Sequence, residues 1–305
     1  MMAETKQRPI GTALLVFLVG YQWFYNGANF IAFKVGGNAF HPITLAALRF
    51  GIAALLMLPL ALWRWRKHRP NGRELANAGL LGIVMLVGSQ TLAIAGTHYL
   101  PAGIASVFGS AAPIFLATFS WGFLHQSLTK RELGGVALGF AGLALMAWFS
   151  SNGEGFRAIG AILTLVASAL WAAGSLASTR LSLPQDPVLD LAAQLVPAGV
   201  LLGIWVAASG VAGRTNFASV SLRTWGALAF LVFVSTLVGY AAFLTLNRRA
   251  SSSLANIFNY VAPVIALLLS AWLLKEPLGW QKLTSAGITL SGVALMVSGS
   301  ERKPA

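Results

Sequence analysis

Two stretches of the chain decide the fold: IASVFGSAAPIFLATFSWGFL at residues 104–124 and LANIFNYVAPVIALLLSAWLL at residues 254–274. Neither contains a charged side chain, and each is as long as the run of about 20 apolar residues that crosses a bilayer as a helix. Backbone N–H and C=O groups in lipid must be satisfied internally, and the strands of a membrane barrel alternate apolar and polar residues. Both stretches therefore predict membrane-spanning helices.

The whole 305-residue chain has the same character. It is 57% hydrophobic and only 10% charged, where a soluble domain has about 25% charged residues. So few charges do not solvate a surface of this size, which excludes a water-soluble enzyme, a disordered chain and a coiled coil. The absence of cysteine excludes a disulfide scaffold. Composition therefore predicts an all-α integral membrane protein.

Further apolar runs predict ten transmembrane helices in total, separated by turns rich in Gly, Pro and Asn. The predicted spans are residues 11–33, 43–63, 75–95, 102–124, 133–149, 159–177, 188–208, 225–246, 254–274 and 280–298.

The distribution of Lys and Arg predicts the orientation. If the N-terminus is cytoplasmic, 14 of the 21 basic residues fall on cytoplasmic segments and 6 on outer segments, with Arg49 inside a span. This is the bias of the positive-inside rule. We therefore interpret the net charge of +13 as a topology signal and predict no binding of nucleic acid. The expected location is the inner (plasma) membrane, crossed many times, with both termini cytoplasmic.

The chain also repeats itself at an offset of 150 residues. Between residues 105–146 and 255–296, twelve of 42 positions are identical, including the Ala-Pro pairs at 112–113 and 262–263. This divides the chain into two five-helix repeats, residues 11–149 and 157–298. Because five is odd, the second repeat is inverted in the membrane. Inverted repeats are typical of secondary transporters, whose solute site lies near the midplane between the halves. The alternative is a duplicated bundle that transports nothing.

The segments that follow the two quoted stretches carry a family resemblance. They read LHQSL at 124–128 and LKEPL at 274–278, so that Gln126 stands where the second copy has Glu276. Together with the Ala-Pro pairs, this pattern resembles the paired EamA repeats of the drug/metabolite transporter superfamily, and most of all the aromatic amino acid exporters of the YddG type. The resemblance implies ten helices around a central cavity, with helices five and ten outside it, and export of small metabolites by alternating access.

Polar and aromatic side chains inside the predicted spans predict the lining of this cavity, because polar groups in lipid usually face a bundle interior. Helical spacing places Gln22, Asn26 and Asn29 on one face. The predicted lining residues are Tyr21, Gln22, Asn26, Asn29, Arg49, Gln90, Ser110, Trp171, Tyr240, Asn256, Asn259 and Tyr260. The alternative for each is hydrogen bonding between helices. A lining of amides, hydroxyls and aromatic rings suits amino acids, including aromatic and other neutral ones.

Two further features bear on mechanism. Arg49 is a strong charge well inside a predicted span, and it either binds a solute carboxylate or extends its guanidinium to the outer surface. Pro113 and Pro263 lie at matching depth in the two repeats and predict kinks that act as hinges for gating.

The positions of the Asp, Glu and His residues limit the possible functions. All eight Asp and Glu residues lie at predicted helix ends, in loops or in the terminal segments, which favours facilitated transport or exchange without proton coupling through a buried carboxylate. The four His residues form no cluster, so we predict no metal, no cofactor and no enzymatic activity. The expected partners are a small-molecule solute and the lipid bilayer, and the chain is expected to function as a monomer. The alternatives are efflux of quaternary or cationic drugs and, more remotely, an intramembrane enzyme.

The matched prolines generate a first prediction. Replacing Pro263 by Ala restores a backbone N–H in a predicted hinge and should slow solute flux without preventing membrane insertion. Flux in reconstituted vesicles, normalised to inserted protein, measures the effect. An unchanged rate would show that Pro263 is not a hinge.

Overall fold

A computed structural model describes residues 11–125, 127–150, 156–249 and 258–300. Within these ranges the side chains of residues 124, 214, 244, 247–249, 258–260 and 297–300 are not described. Every regular element in the described ranges is helical, and these ranges contain no strand.

The helices follow one another along the chain with short connections. We label them α1 (Thr12–Gly37), α2 (Pro42–Trp65), α3 (Gly72–Gly82, Ile83–Gln90 and Thr91–Tyr99 in succession), α4 (Ala102–Gly109 and Ala112–Leu124), α5 (Lys130–Ser150), α6 (Ala158–Ser178), α7 (Pro187–Ser209), α8 (Leu222–Ala229, Phe230–Tyr240 and Ala241–Arg249 in succession), α9 (Phe258–Leu273) and α10 (Trp280–Ser300). The 3₁₀ turns Val211–Arg214 and Phe217–Ser219 connect α7 to α8.

Seven helices in the described residues are long and apolar enough to cross a membrane, namely α2 to α8. The apolar part of α9, Val261–Leu273, is shorter. The prediction of an all-helical membrane fold is confirmed, whereas the number of ten spans stays a prediction.

Local chemistry explains where several helices begin. Pro42 and Pro187 lie in the first turns of α2 and α7, where the missing N–H of proline has no helical acceptor to lose. At α7, the Asp186 carboxylate accepts the N–H groups of Val188 (2.8 Å) and Leu189 (3.3 Å). These caps satisfy donors that a helix start leaves without partners.

The bundle is held together largely by pairs of helices from different repeats. α1 packs along α9, α2 along α7, α3 against α6, and α5 along α10. The pairing of α5 with α10 depends on glycine, because a Cβ at Gly135 would lie 2.6 Å from the carbonyl oxygen of Gly292. Small residues allow such close approach of membrane helices.

Both repeats contain a π-helical segment that the sequence patterns did not predict. Ile83–Gln90 lies within α3 and Phe230–Tyr240 lies within α8. Their last residues, Gln90 and Tyr240, are related by the 150-residue offset. The Thr236 hydroxyl donates a hydrogen bond to the carbonyl of Leu231, five residues earlier (2.7 Å). π-helical geometry is rare and is concentrated at functional sites.

The Ala-Pro pairs have different surroundings in the two repeats. α4 is interrupted at Ser110 and Ala111, so Pro113 lies in the first turn of the second half of α4. α9 is helical on both sides of Pro263. The sequence analysis expected the same kink in both helices, and the hinge role of both prolines stays a prediction.

Glu276, from the family-specific LKEPL segment, caps a helix of the other repeat. Its two carboxylate oxygens accept the backbone N–H groups of Ala102 (2.7 Å) and Gly103 (3.2 Å) at the start of α4. A carboxylate at a helix N-terminus satisfies unpaired donors and interacts favourably with the helix dipole. The loop at 274–278 is thus tied to the first repeat.

Lys34 strengthens the same end of the bundle. Its ammonium group donates to the carbonyl oxygens of Thr97 and Leu100, both at 2.9 Å, where α3 ends. The turn before Glu276 contains Lys275 in the left-handed conformation (φ 57°), and His125 has the same conformation in the first repeat (φ 54°). The two turns correspond by the 150-residue offset.

The cap of α4 generates a second prediction. Replacing Glu276 by Gln leaves one neutral oxygen in place of a carboxylate that accepts two N–H groups. We expect the protein to lose about 1 kcal/mol of stability, seen as a lower melting temperature in detergent. Glu74→Gln is the matched control, because among the described residues the Glu74 carboxylate accepts one N–H, that of Asn71 in a capping box (3.0 Å), a bond that Gln also makes. Equal melting temperatures for the two variants would contradict the prediction.

Candidate functional site

A cavity of about 100 Å³ lies between α1, α3, α4, α6 and α9. Helices from both repeats therefore surround it, and the volume accommodates several water molecules. Its lining consists of Asn26, Asn29, Phe30, Phe33, Ser89, Gln90, Ala93, Ser106, Gly109, Ser110, Ala112, Thr164, Ala167, Ser168, Trp171, Ala262 and Pro263.

The α1 face supplies amide groups to the cavity. Asn26 donates from Nδ2 to the backbone oxygen of Gln22 (2.9 Å) and to its side-chain oxygen Oε1 (3.0 Å). Asn29 is only 7% exposed, and its Oδ1 has no hydrogen-bond partner among the described residues. A buried acceptor without a partner is unfavourable, so the Asn29 oxygen is an acceptor still available at the cavity wall.

A hydroxyl of α6 lies against the interruption of α4. The Ser168 hydroxyl of α6 lies within hydrogen-bonding distance of the carbonyl oxygens of Gly109 (3.0 Å) and Phe108 (3.2 Å). The last carbonyls of a helix lack intrahelical partners. At the break itself, the Ser110 hydroxyl donates to the Val107 carbonyl (2.7 Å). The broken backbone is thus stabilised at the cavity wall.

An aromatic cluster forms another wall. The Trp171 indole of α6 lines the cavity and contacts the rings of Tyr240 (centroids 6.3 Å apart) and Phe243 (5.6 Å). The Tyr240 hydroxyl donates to the Gln194 side-chain oxygen (2.7 Å), and Gln194 donates in turn to Asp190 (2.9 Å). Gln194 therefore holds Tyr240 in place, and Tyr240 packs against Trp171.

Arg49 is buried behind the cavity, with 4% of its surface exposed. Its Nη1 donates to Oε1 of Gln90 (3.0 Å), its Nη2 to the Ser235 hydroxyl (2.9 Å) and its Nε to the Thr236 hydroxyl (2.8 Å). The guanidinium carbon also lies 4.8 Å from the centroid of the Phe50 ring. A buried arginine does not extend to the outer surface, so that alternative from the sequence analysis is wrong.

The predicted site residues divide into three groups. Asn26, Asn29, Gln90, Ser110 and Trp171 line the cavity, together with the predicted hinge Pro263. Tyr21, Gln22, Arg49 and Tyr240 are not in the lining and bond between helices instead; the Tyr21 hydroxyl, for example, donates to the Val234 carbonyl (2.7 Å). Asn256 and the side chains of Asn259 and Tyr260 lie outside the described residues, and a binding role for any of these residues stays a prediction.

Sequence reasoning did not select several lining residues, including Phe30, Phe33 and Thr164. The two phenylalanines carry no polar signal on an apolar helix.

The sequence placed Asp190 at a helix end, and it does lie in the first turn of α7, but it is only 1% exposed. Its burial depends on neighbouring helices rather than on its position in the sequence.

The sequence profile of the EamA-like transporter family matches residues 11–148 and again residues 158–298. The chain belongs to the EamA-like transporter family. It is therefore a membrane transporter, and its family and relatives point to transport rather than to enzymatic activity.

The relatives of this EamA-like chain carry transporter names. "Uncharacterized inner membrane transporter YedA" of Escherichia coli (strain K12) is 33% identical over 92% of this chain and 89% of its own length. "Uncharacterized transporter YvbV" of Bacillus subtilis (strain 168) is 28% identical, covering 96% and 94%. "Probable amino-acid metabolite efflux pump" of Escherichia coli (strain K12) is 28% identical, covering 94% of both chains.

A solved structure described only as "Crystal structure of protein" has the same fold. It matches with a TM-score of 0.65 and 16% identity, over 93% of this chain and 96% of that chain. At this identity the likeness shows the fold alone.

The unpartnered oxygen of Asn29 generates a third prediction for this EamA-like protein. Replacing Asn29 by Leu keeps the side-chain shape and removes the acceptor, so the half-saturating concentration of a solute bound in the cavity should rise about tenfold. The concentration dependence of counterflow measures this change. Asn77→Leu is the control, because Asn77 bonds to the Ser182 carbonyl away from the cavity (3.0 Å). Equal half-saturating concentrations for the two variants would show that Asn29 does not bind the solute.

Proposed function

We propose that this EamA-like protein is a secondary exporter or facilitator of amino acids, including aromatic and other neutral ones, and not an enzyme. The observation that carries the proposal is the chemistry of the cavity between the repeats. Its polar lining groups are amides and hydroxyls, and an indole ring forms part of one wall. Amides and hydroxyls hydrogen-bond to both the ammonium and the carboxylate of a zwitterion, and an indole face attracts an ammonium group.

The names of two relatives support the same solute class. The proteins called "Probable amino-acid metabolite efflux pump" in Escherichia coli and in Salmonella typhimurium are 28% and 27% identical to this chain, and the matches cover 94% of it. Because the identity extends over nearly the whole length, it is consistent with a shared transporter fold.

The second candidate is efflux of quaternary or cationic drugs. A carrier for such compounds would be expected to place carboxylates at its binding site, because a desolvated cation needs a counter-charge. No Asp or Glu occurs among the described residues that line the cavity. The described part of the cavity therefore favours zwitterions over permanent cations.

Alternating access between the inverted repeats would supply the transport mechanism. In this proposal both termini are cytoplasmic, the chain works as a monomer, and solute moves down its own gradient or in exchange. Asp190, although buried, bonds to Gln194 near the start of α7 and is not part of the cavity lining. The cavity therefore provides no described carboxylate that would tie each solute to a proton.

Counterflow in proteoliposomes tests the proposed function. Vesicles preloaded with one unlabelled amino acid should accumulate a labelled neutral or aromatic amino acid well above the level of protein-free vesicles, and collapsing the pH gradient should leave the flux unchanged. A labelled quaternary ammonium compound in a parallel assay tests the second candidate. Movement of that compound without movement of any amino acid would refute the proposal in favour of drug efflux, and a strict requirement for the pH gradient would refute the uncoupled mechanism.

A further inference from the structure

The position of Arg49 between the two repeats leads to one further inference. Arg49 belongs to α2 of the first repeat, and its hydrogen bonds reach α3 of the same repeat and α8 of the other. Gln90 is the last residue of the π-helical segment of α3, and Ser235 and Thr236 lie within the π-helical segment of α8. One side chain thus joins the two irregular segments, which belong to the two halves that must move relative to each other in alternating access.

All the described partners of this guanidinium are neutral. They are one amide oxygen and two hydroxyls, together with the faces of Phe33 (5.5 Å) and Phe50 (4.8 Å). No carboxylate of the described residues is paired with it. Arginine remains charged and forms its strongest and most specific bonds with carboxylates, which accept two parallel N–H groups. A buried guanidinium held by neutral oxygens is therefore poised to exchange them for a better acceptor.

Gln90 and Phe33 both contact this guanidinium and both line the cavity, and Gln90 is hydrogen-bonded to it. The same Oε1 that accepts from Arg49 belongs to a side chain that lines the cavity wall. A carboxylate in the cavity that replaced Gln90 would compete directly for Nη1. Taking over Nη2 as well would break the bond to Ser235, which connects Arg49 to the second repeat.

We propose that Arg49 is an interlock between the two repeats that a solute carboxylate releases. Without solute, its bonds to Gln90, Ser235 and Thr236 hold the repeats in one arrangement and keep the empty carrier from changing sides. A solute carboxylate takes over the guanidinium, loosens these bonds and allows the loaded carrier to reorient. The proposal rests on the proposed function and adds to it a required solute group, the carboxylate, and a preference for exchange over net flux.

The chain is well suited to a direct test, because it contains no cysteine. Ser110→Cys places one thiol in the cavity wall, and a membrane-impermeant thiol reagent is then added to either face of reconstituted vesicles without any solute. With Arg49 present, labelling from one face should exceed labelling from the other about tenfold, within the usual range of coupling between sites. In the Arg49→Gln variant this ratio should fall towards one, because the empty carrier reorients.

Two further variants separate the interlock from a general effect on folding. Ser235→Ala combined with Thr236→Val removes two acceptors of Arg49 while keeping its charge, and it should reduce the labelling ratio in the same direction. Arg180→Gln removes an exposed arginine remote from the cavity and should leave the ratio unchanged. One-sided labelling that persists in both Arg49→Gln and the double variant would overturn the interlock, and this result needs no transported solute.

A second arm tests the solute group. In the Ser110→Cys protein that keeps Arg49, a neutral amino acid should lower the labelling ratio, whereas its α-amide, which lacks the carboxylate, should not. Equal effects of the acid and the amide would overturn the carboxylate assignment. If no amino acid moves in the counterflow assay while Arg49→Gln still abolishes one-sided labelling, the proposed function fails and the interlock between the repeats stands.

Discussion

The need of buried backbone N–H and C=O groups for hydrogen-bond partners inside the protein is the constraint on which this structure depends. Lipid provides no hydrogen bonds, so wherever the backbone departs from an α-helix another group must compensate. α4 is interrupted at Ser110 and Ala111, and the Ser168 hydroxyl lies within hydrogen-bonding distance of the Gly109 carbonyl at the break (3.0 Å). The same requirement places Glu276 against the first N–H groups of α4. Of these irregular places, the break in α4 borders the cavity directly.

The same constraint explains why the two repeats are similar but not equivalent. The left-handed residues His125 and Lys275 and the ends of the two π-helical segments correspond by the repeat offset. In contrast, the Ala-Pro pair follows a break in α4 and lies within a continuous helix in α9. The carboxylate of Glu276 caps α4, while the first repeat has an amide, Gln126, at the corresponding position. Such differences give the two halves unequal contacts.

Much of the cavity could be predicted, but only where a polar residue stands out on an apolar helix. Asn26, Asn29 and Gln90 were recognised in this way, and all three line the cavity. Tyr21 and Gln22 gave the same signal, yet they bond to the backbone of α8. Phe30 and Phe33 line the cavity without any signal, because phenylalanine in an apolar span is equally suited to lipid, to a helix interface and to a cavity wall.

The sequence by itself determined that this is a helical membrane protein built from two related halves, because hydropathy and repetition are properties of the order of residues along the chain. The positions of the charged residues also placed Arg49 inside a predicted membrane span. Only the tertiary structure decided what Arg49 bonds to, which amides face the cavity and which side chain caps α4. These outcomes depend on contacts between residues far apart in the sequence, such as Arg49 with Ser235 and Ala102 with Glu276, and no local pattern specifies them.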